Sequence, residues 1–219
     1  MRRRFDEIVE RFVVAQNCRL LVDFGCGNMP YRALFEPHVD HYMGVDLPGN
    51  EMAHAAVSGP NQIPLESAAA DIVLSSQVLE HVADPIAYLE EAYRVLRPNG
   101  ILILSTHGSW PYHPDPADYW RWTSAGLQKT LAAADFSVEY FGGVLGPAAT
   151  ALQLWQDAVY WRVRGFFRST FTLHLQTLIQ LADRASSDSA RDEDAAVFVV
   201  VARKQSENPV SSVESREQD

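Results

Sequence analysis

Cysteine is nearly missing: Cys18 and Cys26 are the whole supply in 219 residues. Two thiols cannot build a disulfide framework, and they lack metal-ligand spacing. Basic residues are also short, 18 lysines and arginines against 28 acids, for a net charge of −10. A chain so acidic offers no broad face for phosphate neutralisation, so a nucleic-acid partner is not expected. Long apolar runs are missing too. No window approaches the ~18 uninterrupted apolar residues that a membrane-spanning helix needs. The N-terminus reads Met-Arg-Arg-Arg-Phe, but Asp6, Glu7 and Glu10 stand where a signal peptide would carry its apolar segment. These absences together predict a reducing, cytoplasmic location. The apolar fraction, 47%, is that of a globular protein. The length suits one α/β domain with an insertion, spanning 1–203, more than two independent cores.

The chain is organised around Leu20 to Asp46. The apolar run Leu20-Leu21-Val22 ends in Asp23 and Phe24, and Gly25 and Gly27 follow. A short apolar run stopping at glycines predicts a buried parallel strand feeding a tight turn. Glycine there permits left-handed dihedrals and close approach of backbone to a ligand. A second strand, Asp40 to Asp46, ends in an acid 19 residues after Gly27, a distance that suits a ribose diol. The dinucleotide-binding turn would require a third glycine where Pro30 stands.

The segment Asp23-Phe24-Gly25-Cys26-Gly27 resembles the first motif of class I S-adenosylmethionine-dependent methyltransferases. Two further segments agree in order. Asp71 to Ser75 reads as a strand followed by Val78-Leu79-Glu80-His81, similar to the second signature of that family. A helix opened by Asp84-Pro85, with Ile86, Leu89, Tyr93 and Leu96 predicted inward, ends in Arg97-Pro98-Asn99-Gly100 before the strand Ile101 to Ser105. The match covers about residues 20 to 106 at this level and is closest to the small-molecule, type 11-like branch. It implies a Rossmann-like doubly wound sheet, mostly parallel, with the apolar run Ala195 to Ala202 as an antiparallel strand. It implies S-adenosylmethionine as cofactor, met by Asp23, Gly25, Cys26, Gly27, Asp46, Leu47, Ser76 and Gln77. One departure stands out. Aligning Ile63-Pro64-Leu65 with the family's Leu-Pro-Phe puts Gly59 where an adenine-contacting Asp is usual.

Thr106 to Trp122 is the most distinctive stretch, with His107, His113, Asp115, Asp118, Arg121 and three tryptophans in a proline-rich loop. It resembles the acceptor-side loop of that family, and Thr123 is predicted to cap the next helix, from Ser124. His81, His107 and His113 are candidate general bases, since an oxygen acceptor is served by a group titrating near neutrality. The alternative for His81 and Glu80 is a structural role at the helix start. His107, His113, Asp115 and Asp118 include metal-ligating types, but their spacing follows no metal motif, and no metal is expected.

Residues 147–190 read as a helical insertion or lid. Within it Trp155, Val159, Val163 and Phe166 repeat at helical spacing, and a second helix holds Leu175, Leu178, Ile179 and Leu181. Segment 148–184 carries four arginines and two aspartates in an otherwise acidic chain. It could serve as a pocket lid, a homodimer face, or a contact with a membrane or lipid-linked substrate. The tail, 204–219, reads as disordered. The expected activity is methyl transfer to a small-molecule acceptor, with glycan- and lipid-linked acceptors as the candidates. Its rivals are a silent methyltransferase-like binding domain and an NAD-dependent oxidoreductase or epimerase.

Overall fold

A computed structural model describes residues 1–14 and 17–205. One seven-stranded sheet organises them: β1 (Cys18–Phe24), β2 (Val39–Asp46), β3 (Ala55–Ala56), β4 (Ala70–Ser76), β5 (Leu96–His107), β6 (Phe136–Val144) and β7 (Val197–Lys204). Their spatial order is β3-β2-β1-β4-β5-β7-β6, and only β7 runs antiparallel to its neighbours. The order reverses between β1 and β4. In open α/β sheets the crevice beyond the carboxyl ends at that point is where ligands bind.

Strand residues alternate between two apolar layers, as a period of two requires. In β5, Leu102 and Leu104 join Val22, Tyr88, Leu89, Leu127, Leu131 and Phe198 on one face. Ile101 and Ile103 join Phe5, Ile8, Leu21, Phe35, Ile72 and Val201 on the other. The first layer is covered by α3 (Pro85–Val95) and α4 (Ser124–Ala133), the second by α1 (Arg2–Ile8) and α2 (Arg32–Phe35). Strand β7 lies between β5 and β6 and is buried on both faces, which is why its sequence is an unbroken apolar run.

Local signals match their caps. Asp84 accepts from the amides of Ile86 and Ala87, with Pro85 in the first turn of α3. Thr123 accepts from the amide of Gly126 at the start of α4. Several expectations are corrected or completed. Of the face predicted for α3, Leu89 and Leu96 are fully buried and Ile86 and Tyr93 half-buried, while Tyr88, Ala92 and Val95 complete the buried face, Tyr88 because it turns inward to stack on Phe24. The sequence also suggests an N-terminal helix over residues 1–18; the helix starts at Arg2 and widens to π geometry at Val9–Val13, and Cys18 already belongs to β1. After α2 the chain continues through Glu36–His38 as a 3-10 turn. The sheet runs on through Lys204, and the rest of the expected tail, 206–219, lies outside the described residues.

Between β6 and β7 the chain forms α5 (Pro147–Tyr160), α6 (Gly165–Ala185) and α7 (Asp188–Glu193). The periodicity from Trp155 to Phe166 does not mark one helix. It breaks after Tyr160, leaving Phe166 90% exposed. The α5–α6 hairpin is held by a small core of Ala149, Leu175 and Ile179, whereas Leu178 and Leu181 face outward. Its base is tied to the sheet by the Gly146 amide donating to Asp183 and by Arg191 pairing with Asp183. It leaves the sheet at the carboxyl end of β6, the same edge as Phe24, Ser76 and His107. Among the described residues no helix is long and apolar enough to cross a membrane.

Candidate functional site

The glycine turn after β1 is shaped by sterics on one side and open on the other. Gly25 has φ +77°, and a Cβ there would lie 2.6 Å from a methyl of Val78. Gly27 has φ +51°, and a Cβ there would meet nothing within 4 Å. The turn is therefore pinned beneath by the Val78-Leu79-Glu80-His81 segment and faces outward at Gly27.

The two glycine amides have protein partners. Gly25 donates to the Val45 carbonyl at 2.8 Å and Gly27 to Asp46 Oδ2 at 2.8 Å. Both N–H groups are therefore satisfied within the protein. Asp46 also accepts from Asn50 Nδ2 at 2.7 Å on Oδ2 and from the Leu47 amide at 2.8 Å on Oδ1. A carboxylate offers about four acceptor directions, so Oδ1 retains capacity for a hydroxyl. Leu47 is 51% exposed beside it.

Asp23 and Cys26 lie beneath the turn. Asp23 is buried, accepts a short hydrogen bond from the Tyr42 hydroxyl, and has its pKa pushed up to about 7, chiefly by burial. The Cys26 thiol is buried, and burial raises it to about 12, so it is a packed, inert group. Ser76 and Gln77 lead off β4. The Ser76 hydroxyl lies 3.2 Å from that of Ser105, and Gln77 reaches Ser105 by its side chain (3.1 Å) and its amide (2.9 Å). Gln77 has φ +58°, a sparsely populated conformation for a residue with a side chain. Gly59 stands with φ +57° beside the Ser58–Gln62 bridge and offers no side chain where the family's Asp would be.

The three histidines predicted from separate segments converge. His113 lies 5.1 Å from His81 and 4.8 Å from His107, ring centre to ring centre. They are brought together because the loop from Gly108 to Trp122 hangs on the 3-10 turn Leu79–His81. The amides of Tyr119 and Trp120 both donate to the Glu80 carbonyl, and the Trp120 indole donates to the Val82 carbonyl. Within the loop, Arg121 grips Asp118 with two 2.6 Å bonds and also donates to the carbonyls of Trp110 and Pro111. That clamp holds the Asp118 carboxyl well below the usual carboxylate range.

His107 does not suit a base working near neutrality. It is buried, stacks on Trp110, and burial lowers its pKa to about 3, with His113 and Arg121 adding to the effect. At pH 7 it is neutral, so its 3.5 Å approach to Glu80 is not an ion pair. His81 and His113 remain, each half-buried with a fixed orientation. His81 Nδ1 bonds the Ala117 carbonyl. His113 Nδ1 faces Asp118 Oδ2 at 3.2 Å and the Pro111 carbonyl at 3.2 Å.

Glu80 is the residue that sequence reasoning underweighted. Its side chain is fully buried, Oε2 accepts from Thr106 at 2.8 Å, and Oε1 has no hydrogen-bond donor. Burial raises its pKa. One donor atom each from Glu80, His81 and His113 lies within 4.8 Å of the others. The set weighed from sequence, with Asp115 and Asp118, does not assemble: Asp115 is exposed and Asp118 is held by Arg121. Asn50 and Tyr42 were also missed. Each brackets Asp46 by four residues, a spacing visible in the sequence but meaningless without the strand pairing.

Comparison with known proteins places this geometry. Residues 22–104 match a family described as a methyltransferase domain. Over 166 residues the chain is 28% identical to a probable S-adenosylmethionine-dependent methyltransferase of Mycolicibacterium smegmatis, covering 68% of this chain and 64% of that one. Over 120 residues it is 36% identical to the ubiquinone biosynthesis O-methyltransferase of Cereibacter sphaeroides, covering 47% and 46%. The chain thus spans less than two thirds of either relative. A solved putative methyltransferase from Bacillus halodurans shares the fold, with a TM-score of 0.57 at 15% identity, covering 92% of this chain and 99% of that one.

Proposed function

We propose that the chain is a class I S-adenosylmethionine-dependent methyltransferase, as the matched methyltransferase domain and its relatives support, and that it methylates a small-molecule acceptor presented at a lipid surface. One observation carries the cofactor half of this reading. The Gly25–Gly27 turn is open at Gly27, pinned by Val78, and adjacent to an Asp46 carboxylate with an acceptor direction to spare. Residues Gly27, Asp46, Leu47 and Gln77 would line the cofactor. Bound S-adenosylmethionine supplies a methyl group already activated on a sulfonium sulfur. The protein's share is to exclude water and aim the acceptor, and orientation alone accounts for much of such a rate enhancement. Asp46 would hold the ribose diol, Asp23 would fix the turn through Tyr42, and the loop 108–122 would wall the acceptor side with Trp110 and Trp122. His81 or His113 would take a proton from the acceptor. The absence of a third glycine at Pro30 weighs against the NAD-dependent alternative.

The acceptor half rests on the α5–α6 hairpin at the same edge of the sheet. Its turn exposes Trp161 (78%), Phe166 (90%) and Phe167 (59%), with Arg162 and Arg164 exposed beside them. An aromatic tip flanked by cations on an acidic protein is complementary to an anionic bilayer surface. As a lid over the pocket, the hairpin would bring the site to its acceptor there.

Calorimetry with S-adenosylhomocysteine and with NAD tests the cofactor reading: binding of the first supports it, binding of NAD alone overturns it, and binding of neither favours a silent domain. Sedimentation with anionic vesicles tests the acceptor reading. Wild type is expected to co-sediment and a Trp161→Ser/Phe166→Ser variant to remain in solution. Equal behaviour of the two, or self-association in place of vesicle binding, removes the membrane contact.

A further inference from the structure

Glu80, His81 and His113 have the features of a metal centre rather than of a packed polar cluster. A fully buried carboxylate oxygen without a hydrogen-bond donor is rare, because an unpaired buried polar atom is costly. Glu80 Oε1 is such an atom, and the donor atoms of His81 and His113 lie within 4.8 Å of its carboxylate. A tetrahedral ion with bonds of ~2.0–2.1 Å sets its ligands about 3.4 Å apart, so closing the cluster takes small rotations about the side-chain bonds.

The surroundings of these ligands are what distinguish a metal site. Ligating histidines characteristically donate their second nitrogen to a carbonyl or carboxylate, which fixes the ring and leaves the first nitrogen's lone pair for the ion. The Ala117 carbonyl can only accept, so the His81 proton sits on Nδ1 and Nε2 carries the lone pair. His113 Nδ1 faces the Asp118 carboxylate, itself anchored by Arg121. Glu80 has an outer partner too, since Thr106 donates to Oε2 and leaves Oε1 without a donor. All three candidate ligands are therefore oriented from behind, by partners from two segments of the chain, Thr106 and the loop residues Ala117 and Asp118.

We propose that Glu80, His81 and His113 bind one divalent zinc ion, with the fourth position open to a hydroxyl oxygen of the acceptor. Two imidazoles and one carboxylate with an open position form a recurrent catalytic zinc set. The ion would lower the pKa of the oxygen it holds, and the proton would leave to water in place of His81 or His113, whose lone pairs are then taken by the metal. That role rests on the methyl-transfer reading, whereas the binding site itself does not.

The test is titration of metal-stripped full-length protein with Zn²⁺, followed by competition with a chromogenic chelator, with Co²⁺ absorption reporting geometry. The expected result is one ion per chain and tetrahedral Co²⁺ bands. Glu80→Gln and His113→Gln are each expected to weaken binding by at least tenfold. Asp118→Asn, acting through His113, is expected to weaken it by about tenfold, and Asp115→Ala is expected to leave it unchanged. Circular dichroism of each variant establishes that it is folded, and His81→Gln, at a half-buried position, stands in for any that is not. Failure to bind a stoichiometric ion, or binding undiminished in the folded Glu80 and His113 variants, overturns the proposal. S-adenosylhomocysteine binding is measured on the same samples. Its loss with zinc binding intact counts against the methyltransferase reading alone, and the converse counts against the metal site alone.

Discussion

Replacing Gly25 by alanine tests whether the glycine turn is held by Val78. The perturbation has two parts. At φ +77° a side chain costs on the order of 1 kcal/mol in backbone strain. The new Cβ would also lie 2.6 and 2.8 Å from the two methyls of Val78, closer than real contacts allow. Val78 is β-branched and stiff, and it packs against the main apolar layer, so it cannot swing aside without disturbing the core. Overpacking of this kind costs about 1–3 kcal/mol. The sum is about 3 kcal/mol. For a chain of this size that lowers Tm by roughly 6–12 °C, at about 2–4 °C per kcal/mol. The assay is thermal and urea unfolding of Gly25→Ala, Val78→Ala and the double variant. Val78→Ala removes the two offending methyls and so relieves the steric part in the double variant but not the strain in φ. A coupling of about 1–2 kcal/mol in favour of the double variant is expected. Additivity within about 0.5 kcal/mol would refute the reasoning, because independent sites add to that degree.

Further predictions concern charge and ligand. Asp23 has a folded pKa of about 7 against 3.8 for the free group, so the folded state takes up a proton that the unfolded state refuses between those values. Stability on this account rises as pH falls from 8 to 5, by about 2–3 kcal/mol at 1.36 kcal/mol per unit. Asp23→Asn, which keeps an oxygen for Tyr42, should flatten that part of the curve, and parallel urea curves for the two proteins would disprove the assignment. Asp46→Ala should weaken S-adenosylhomocysteine at least tenfold, about 1.4 kcal/mol. Unchanged affinity in the folded variant removes the ribose role. Asp118→Asn breaks the Arg121 clamp and should speed limited proteolysis between Tyr112 and Asp118 while leaving S-adenosylhomocysteine affinity within twofold. In wild type the clamp should survive from pH 8 to 5 and loosen only in strong acid, since Asp118 protonates well below its ordinary value. Proteolysis that quickens already at pH 6 would contradict it.

What could be read from the chain and what could not divide along physical lines. The glycine turn, the caps at Asp84 and Thr123, and the buried run of β7 are local: propensity, dihedral freedom and apolar period act within a few residues, so their signals survive in sequence. The inward turn of Tyr88 is not local. Its hydroxyl donates to the Phe24 carbonyl and meets Ser75, and those partners are known only once β1 and β4 are paired. The break after Tyr160 was hidden because Trp155, Val159, Val163 and Phe166 keep a helical rhythm whether or not a core lies beneath them. The histidine cluster was half visible. Each histidine could be suspected from its motif, but their meeting depends on a loop that folds back 36 residues to bond His81 to Ala117. Glu80 looked like an ordinary polar residue in a helix start, and only its complete burial marks it as unusual.

The placement of β7 bears on how the protein is made. Strand β5 is buried and apolar, and β7 is the partner that closes its second edge. Yet Val197 is 90 residues beyond His107 in the chain. During synthesis the ribosome must deliver the whole α5–α6 hairpin before that edge can be paired, and β6, which bonds the sheet only through β7, has to wait as well. For that interval the nascent chain presents an unpaired apolar strand edge, the surface most prone to sticking to other chains. A chain halted before residue 197 should therefore partition to chaperones or aggregates rather than accumulate as a smaller folded unit.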